Sequence, residues 1–338
     1  MADMKPYFSP EWLALEGKMG FRPRLKGSLE EILEAGKNQL HHKPPVNSPD
    51  APVKFWKFSF SVQRVHSANT SPLRPDDQNI TPDVKIRAYT PKQKPTSPMP
   101  VGVFGHGGGF CGGDLNSDDK TARYIAEHVP CIVVSIDYRL GPTFKYPTML
   151  NDFETGFNWA YDNAEKLGGS PQKVFAFGCS AGGTLSCALA RRLVEKGQQS
   201  KLAGIMNLAG GTMHPDNVPD WLKDQYKAIY ENAVDVPIVD RHVMDIFNGK
   251  CAKGSDPDYT PALAKNLKYW PKLYSVACGL DPMRDDAIIM NSELRKAGVK
   301  TKIDVYPGLP HIFWVFDDLP STKVFYQNVL EGIRFILS

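Results

Sequence analysis

A chain of 338 residues can form one large domain or two smaller ones, since domains average about 150 residues. Hydrophobic residues make up 42% and charged residues 23%, which is typical of a folded globular protein and argues against a disordered or fibrous chain. The 40 basic and 37 acidic residues give a net charge of +3 without a basic run, which argues against a nucleic-acid partner.

The cysteines and the apolar runs favour an intracellular protein. Six cysteines are present, and their spacing matches neither a disulfide scaffold nor a zinc site. We therefore expect reduced thiols in a cytoplasmic protein and no metal ion. The N-terminal stretch lacks the apolar core of a signal peptide, and no run reaches the roughly 18 apolar residues of a membrane span. A membrane partner is therefore not expected.

Residues 1–50 are predicted to contain short amphipathic helices. Serine followed by proline at residues 9–10 is a typical helix start. Serine with glutamate three residues later, at residues 28–31, has the form of a capping box. A proline-rich stretch at residues 43–52 predicts a break after these helices.

Two segments with alternating apolar and polar side chains follow. They cover residues 53–65 and 84–89, and this alternation is typical of half-buried strands. The polar residues 67–82, which include prolines, are predicted to form a turn between them. The two segments together predict an antiparallel hairpin at the edge of a sheet.

From about residue 100 onward, continuous apolar runs alternate with helical segments. This pattern is typical of an α/β fold whose parallel sheet is covered on both faces. The predicted strands cover residues 101–104, 131–136, 174–177, 202–208, 273–278 and 302–306. The predicted helices cover residues 118–128, 150–167, 181–197, 284–297 and 320–337. Residues 211–255 interrupt the alternation, which indicates an insertion of the kind that forms a lid.

The sequence Gly-Cys-Ser-Ala-Gly-Gly at residues 178–183 directly follows a predicted strand and opens a predicted helix. Gly-x-Ser-x-Gly in this setting is the nucleophile elbow, a sharp turn that exposes a serine hydroxyl. The two glycines leave room for that turn, and the helix dipole favours negative charge at Ser180. A glycine-rich turn with an incidental serine is the alternative.

The sequence His-Gly-Gly-Gly-Phe at residues 106–110 follows another predicted strand. A glycine run there lets backbone N–H groups point into a site and hold an oxyanion. A phosphate-binding loop is the alternative, but such a loop needs Gly-Lys-Ser/Thr, which is absent here.

A nucleophilic serine needs a base, and the base needs a carboxylate that orients it. Asp281 follows the predicted strand 273–278, and His311 follows the predicted strand 302–306. The order Ser, Asp, His along the chain is that of the α/β-hydrolases. Asp285 and Asp286 compete with Asp281, but they fall inside the next predicted helix and are expected to be solvated or to cap it.

These motifs together resemble the hormone-sensitive-lipase-like esterases, the HGGG branch of the α/β-hydrolases. The two glycine motifs, Asp-Tyr-Arg-Leu at residues 137–140, Asp-Pro-Met-Arg-Asp at residues 281–285 and the late histidine occur in order. The resemblance covers residues 98–335 and implies an α/β-hydrolase fold, with a mostly parallel central sheet, helices on both faces and a helical cap. It divides the chain into an N-terminal cap segment at 1–50, a catalytic core at 51–210 and 256–338, and a cap insertion at 211–255.

The resemblance also implies roles for single residues. Ser180 would be the nucleophile, His311 the base and Asp281 the orienting carboxylate. His106 would brace the glycine loop through hydrogen bonds. The oxyanion would be held by the backbone N–H groups of Gly108, Gly109 and Ala181. Asp137 and Arg139 would tie loops together beneath the site.

The chain departs from the family pattern at three places near these residues. Gly-Pro-Thr at residues 141–143 stands where the family usually has Ala-Pro-Glu, which alters the charge of that loop. Cys179 stands where the family usually has aspartate, and it is interpreted as either a buried inert thiol or a redox-sensitive one. Ile312 follows His311 where glycine is common, and its branched side chain is expected to narrow one wall of the site.

The family chemistry is acyl transfer to water through an acyl-enzyme, which needs no cofactor. Candidate aromatic residues of the substrate pocket are Trp12, Phe110, Trp221 and Trp314. An apolar, partly capped pocket favours short-acyl or acetyl esters of a small apolar molecule. A homodimer is left open, because family members often pair through an edge strand or the cap.

Three other functions stay open at this level. The scaffold also carries non-hydrolytic enzymes such as cyclases or lyases, and it carries small-molecule receptors that have lost the histidine. A thioester, lactone or amide is a further alternative to the ester, because the Ser-His-Asp motif does not distinguish these bonds.

Overall fold

The computed structural model describes residues 6–41, 73–91, 96–251 and 256–338, and these are built around one eight-stranded sheet. The strands are β1 (Leu73–Asn79), β2 (Lys85–Pro91), β3 (Met99–Gly105), β4 (Ile132–Asp137), β5 (Gly169–Cys179), β6 (Gly204–Leu208), β7 (Lys272–Cys278) and β8 (Thr301–Tyr306). Their order across the sheet is β1-β2-β4-β3-β5-β6-β7-β8. β2 is antiparallel to both of its neighbours, and all the other pairs are parallel.

Helices cover both faces of this sheet, as the continuous apolar runs predict. They are α1 (Pro10–Met19), α2 (Leu29–His41), α3 (Asp119–His128), α4 (Thr148–Asp162), α5 (Ala164–Leu167), α6 (Ala181–Glu195), α7 (Ala228–Glu231), α8 (Arg241–Cys251), α9 (Arg284–Lys296) and α10 (Pro320–Leu337). Apolar side chains of α4, α6 and α9 fill one core, and those of α1, α3 and α10 fill the other. Within the described ranges, no helix has both the length and the apolar character that crossing a membrane requires.

The alternation along β5 shows why both cores form. Val174 and Ala176 point into the core of α4, α6 and α9, while Phe175 and Phe177 point into the opposite one. All four side chains are fully buried. A strand that is apolar on both faces can lie only in the middle of a covered sheet, so this sequence predicts its place correctly.

The predicted edge hairpin is wrong in its first strand. The partner of β2 is β1, which lies inside the stretch predicted to be a turn. β1 is polar because it forms the exposed edge, where Asp77 accepts a hydrogen bond of 2.6 Å from Arg87 of β2. Pro75 is tolerated there because an edge strand needs ladder donors on one side only. The predicted strand at 53–65 and the break at 43–52 lie outside the described residues.

The two predicted helix starts near the N-terminus are confirmed. Ser9 caps α1 by accepting a hydrogen bond of 3.2 Å from the N–H of Trp12. Ser28 and Glu31 form the reciprocal capping box at α2, with hydrogen bonds of 2.7 and 3.3 Å. These bonds satisfy backbone donors that a helix leaves unpaired at its first turn.

The N-terminal segment is joined to the insertion that carries α7 and α8. Ile238 donates its N–H to Pro23 at 2.7 Å, and Leu25 donates to Ile238 at 3.0 Å, which makes a short parallel bridge. The apolar contact beside the bridge is made by Ile32, Val239 and Val243. These two segments, far apart in the chain, therefore support each other.

Candidate active site

Ser180 lies at the turn between β5 and α6, and its backbone is strained. Its φ of 50° and ψ of −119° fall where side-chain-bearing residues are rarely found. The turn is possible because β3 packs directly against it. A Cβ atom on Gly182 would overlap the carbonyl oxygen of Gly105, and one on Gly178 would lie 2.5 Å from the same oxygen. Only glycine fits at these two positions, as the crowding of the elbow predicts.

His311 and Asp281 complete a chain of hydrogen bonds that starts at Ser180. The Ser180 hydroxyl lies 3.0 Å from His311 Nε2, and His311 Nδ1 lies 2.5 Å from Asp281 Oδ2. The other carboxylate oxygen of Asp281 accepts the N–H of Met283 at 2.9 Å. Both His311 and Asp281 are buried. The loops after β5, β7 and β8 thus bring the three residues together.

Asn232 supports the loop of Asp281 and was not singled out by the sequence. It follows α7 in the insertion and is buried. Its side-chain Nδ2 donates to the carbonyl oxygens of Gly279, at 3.1 Å, and of Asp281, at 3.0 Å. No local pattern could reveal this contact, because the partners are almost fifty residues apart.

Asp285 and Asp286 lie in the first turn of α9 as expected, but both are buried rather than solvated. Asp285 accepts the two N–H groups at the start of α7, at 2.7 and 2.6 Å. Asp286 accepts the N–H groups of Thr212 and Met213, at 2.7 and 2.8 Å. Burial raises the pKa of Asp286 to about 8. Asp285 and Asp286 therefore both hydrogen-bond the backbone of the insertion. Of the three aspartates, Asp281 is the one that hydrogen-bonds His311.

The glycine loop at residues 107–109 lies beside Ser180. Gly108 and Gly109 have φ values of 114° and 59°, which favour glycine. Among the described residues, the N–H groups of Gly108, Gly109 and Ala181 donate to no other protein group. The loop is held from behind by Asp118, which accepts the N–H of Gly107 at 2.8 Å. Three donors are thus available for an oxyanion.

His106 is fully buried behind this loop. Its Nδ1 hydrogen-bonds the carbonyl oxygen of Gly107 at 2.7 Å, and its ring stacks on Tyr138 with centroids 4.2 Å apart. Burial lowers the pKa of His106, since desolvation disfavours the charged ring. Its contacts are those of a brace, as the resemblance implies. Nearby, the guanidinium of Arg139 donates to Asp152 of α4 at 2.7 Å.

Cys179, which replaces the usual aspartate, is buried among apolar side chains of the second core. Burial raises the pKa of its thiol well above the ordinary value, which favours the interpretation as an inert thiol. Across the described ranges, no group of three or more His, Cys, Asp or Glu side chains is arranged to hold a metal ion.

A partly open cavity lies above Ser180. Its walls are mainly apolar and come from the core and from the insertion. The lining residues are Gly109, Phe110, Ser180, Ala181, Thr184, Gly211, Met213, Val239, Met244, Phe247, Asn248, Tyr259, Met283 and His311. Phe110 is thus in the pocket, as expected. The sequence missed the face of α8 that carries Met244, Phe247 and Asn248, although their spacing of three and four residues is that of one helix face.

Three tryptophans predicted to line the pocket lie elsewhere. Trp12 packs edge-on against Phe316 in the second core, and Trp314 stacks on Phe325 with centroids 4.2 Å apart. Trp221 is 72% exposed on the insertion surface. Ile312 is also outside the pocket wall, since its side chain packs on the second core.

The amino-acid sequence is similar to those of known hydrolases. A family model described as alpha/beta hydrolase fold matches residues 102–315. A versiconal hemiacetal acetate esterase of Dothistroma septosporum is 38% identical over 99% of this chain and 97% of its own length. The carboxylesterase NlhH of Mycobacterium tuberculosis is 32% identical over 68% of this chain and 70% of its own.

Solved structures show the same architecture. The crystal structure of vibralactone cyclase has a TM-score of 0.86 and 25% identity, covering 100% of this chain and 97% of its own. A bacterial heroin esterase has a TM-score of 0.79 at 22% identity, with 98% of each chain covered, a likeness of fold.

Proposed function

This chain belongs to the alpha/beta hydrolase fold family and is a carboxylic ester hydrolase, and we propose that it works through an acyl-enzyme on Ser180. The observation that carries the proposal is the unbroken chain of hydrogen bonds from Ser180 through His311 to Asp281. Its open end lies in the cavity, beside three backbone N–H groups that pair with no protein group in the described part of the chain. This is the arrangement that nucleophilic acyl transfer requires.

In the first half of the reaction, Ser180 Oγ attacks the ester carbonyl while His311 Nε2 takes its proton. Asp281 holds the imidazole in the correct tautomer and stabilises the imidazolium. The negative oxygen of the tetrahedral intermediate accepts hydrogen bonds from the N–H groups at the glycine loop and the start of α6. His311 then gives its proton to the leaving alcohol. In the second half, water attacks the acyl-enzyme with His311 again as base, which releases the acid and restores Ser180.

The proposed substrates are short-acyl or acetyl esters of a small apolar molecule. Methionine and aromatic side chains dominate the cavity wall, and a mainly apolar wall with a few polar groups is typical of a small-molecule site. Phe247 of α8 lies directly against the glycine loop, since a Cβ atom on Gly109 would come within 2.6 Å of its ring. This contact limits the space next to the ester carbonyl. The Dothistroma relative is named for an acetate ester, which agrees with a short acyl group.

Intramolecular acyl transfer is the alternative, and the similarity to vibralactone cyclase is the observation that favours it. There the acyl-enzyme would be attacked by a hydroxyl of the substrate itself. Reaction in ¹⁸O-labelled water separates the two: hydrolysis places the label in the released acid, and cyclisation leaves the product unlabelled.

We also propose the cap division of the chain and a cytoplasmic setting. Contacts of residues 23–25 with Ile238, and of α8 with the cavity, support a cap built from both the N-terminal segment and the insertion. Six free buried thiols support a reducing compartment. A homodimer is tested by light scattering after gel filtration.

The proposed function is tested by hydrolysis of p-nitrophenyl acetate, butyrate and octanoate, together with labelling by a fluorophosphonate. We expect turnover that is fastest with the short esters and one adduct on Ser180. Ser180→Ala should abolish both. Ser186→Ala is the matched control, because this hydroxyl on the same helix only donates to the carbonyl oxygen of Gly182. Full activity in Ser180→Ala would disprove the mechanism.

A further inference from the structure

Three segments of the chain meet next to the glycine loop. Cys111 directly follows Phe110, Cys251 is the last residue of α8, and the loop at residues 140–146 contacts both segments. Gly141 donates its N–H to Phe110 at 2.8 Å, and Tyr146 donates to the carbonyl oxygen of Cys251 at 2.8 Å. The loop therefore hydrogen-bonds the backbone of Cys251 and the backbone of Phe110, the residue before Cys111.

The two sulfur atoms lie against the same glycine. A Cβ atom on Gly141 would overlap the sulfur of Cys251 and would lie 3.4 Å from the sulfur of Cys111. The absence of a side chain at Gly141 leaves the space in which the sulfurs approach each other. Both cysteines are buried, at 4% and 2% exposure, so this is a shielded pair.

The two neighbouring thiols affect each other's ionisation. The thiol of Cys111 lowers the pKa of Cys251, and Cys251 raises the pKa of Cys111. The ammonium group of Lys145 lowers the pKa of Cys251 further. The other four cysteines differ, since burial raises the pKa of each of them: Cys131, Cys179, Cys187 and Cys278.

We propose that Cys111 and Cys251 form a reversible disulfide that links the end of α8 to the segment directly after the glycine loop. Hydrogen peroxide, a small oxidant, reacts with the Cys251 thiolate to give a sulfenic acid and hydroxide, which takes up the thiol proton as water. The Cys111 sulfur then attacks the sulfenic sulfur, a second water leaves, and the sulfur–sulfur bond forms. Two thiols are oxidised by two electrons, and one peroxide is reduced to two waters.

The bridge would act on the cavity through α8. This helix carries Met244, Phe247 and Asn248 in the cavity wall, and its C-terminal residue would be fixed to the residue that follows Phe110. A fixed α8 cannot move away from the glycine loop to admit a bulky ester. Oxidation should therefore slow bulky esters more than acetate esters. This modification goes beyond the proposed function, and its detection does not depend on esterase activity.

The test is peroxide titration of the purified chain, followed by denaturation in N-ethylmaleimide and non-reducing peptide mapping. We expect the Cys111–Cys251 peptide pair as the main cross-link, with four thiols still free, and its loss on adding dithiothreitol. The midpoint of thermal unfolding should rise by about 5 °C on oxidation. Cys251→Ser and Cys111→Ser should show neither effect, whereas Cys187→Ala should behave like the wild type.

Three results would overturn the proposal. They are a wild-type chain that keeps all six thiols, a cross-link between other cysteines, and sulfinic acid at Cys251 with Cys111 still free. Each is read from the wild-type protein, so the result does not depend on how well the variants fold.

Discussion

Asn232 belongs to the insertion, yet it holds the loop that carries Asp281. Its side chain is 2% exposed and donates to two carbonyl oxygens, at 3.1 and 3.0 Å. Asn232→Ala removes both hydrogen bonds. The carbonyl oxygen of Asp281 keeps the N–H of Arg284 at 3.0 Å, whereas that of Gly279 loses its side-chain donor. A buried polar group without a partner costs about 1–3 kcal/mol. We therefore expect the free energy of unfolding to fall by about 1–3 kcal/mol, measured by urea titration.

The same variant should impair the chemical step. With its loop released, Asp281 orients His311 less well, and the proton transfer from Ser180 becomes slower. We expect kcat for p-nitrophenyl acetate to fall about 10- to 100-fold, which corresponds to about 1.4–2.7 kcal/mol of transition-state stabilisation. KM should change little, because Asn232 does not line the cavity.

Asn291→Ala is the matched control. Asn291 is also buried, but its side chain donates to Ala287 within α9, at 2.8 Å. This variant should lose stability and keep its kcat. If Asn232→Ala also loses stability while its kcat stays as high as that of the control, Asn232 has only a structural role and the reasoning is refuted.

Three further predictions concern the elbow, the cavity and pH. Gly182→Ala should lose more than about 3 kcal/mol of stability in urea unfolding, since its Cβ would overlap the Gly105 carbonyl oxygen, whereas Gly249→Ala on α8 has open space and should not destabilise. Phe247→Ala should raise the hexanoate-to-acetate ratio of kcat/KM about 10-fold or more in a p-nitrophenyl ester series, and an unchanged ratio would exclude the ring as the acyl limit. Because the pKa of Asp286 is raised to about 8, the folded state keeps a proton that the unfolded chain releases near pH 4. Stability should therefore fall as pH rises from 4 to 8, by up to about 1.4 kcal/mol per unit. Asp286→Asn should flatten this decline in urea midpoints at pH 5 and 8, and equal slopes would contradict the assignment.

The parallel part of the sheet could be predicted from the sequence, and its polar edge could not. The runs that become β3 to β7 are apolar because helices cover both of their faces, so hydrophobicity alone locates them. Hydrophobicity does not locate β1, because an edge strand with Asp76, Asp77 and Pro75 has the composition of a turn. Its pairing with β2 depends on Arg87, which only the folded register brings opposite Asp77.

Around Ser180, too, some residues could be predicted from the sequence and others could not. Ser180, Asp281 and His311 each follow a predicted strand, so the topology of a parallel sheet was enough to expect them at one edge. The cavity wall depends on how the insertion folds back over that edge, and no local pattern encodes this. Aromatic character was a poor guide, since Trp314 and Trp12 serve core packing while Phe247 reaches the glycine loop from α8.

The bridge between residues 23–25 and Ile238 bears on the order in which the chain folds. It closes a span of more than two hundred residues, and contacts of such sequence separation form late because loop closure costs chain entropy. The sheet, whose parallel strands are mostly neighbours in the chain, can assemble first. The cavity above Ser180 should then be among the last parts to be completed. A nascent chain would thus carry Ser180 uncovered until the segments at both ends of this bridge have met.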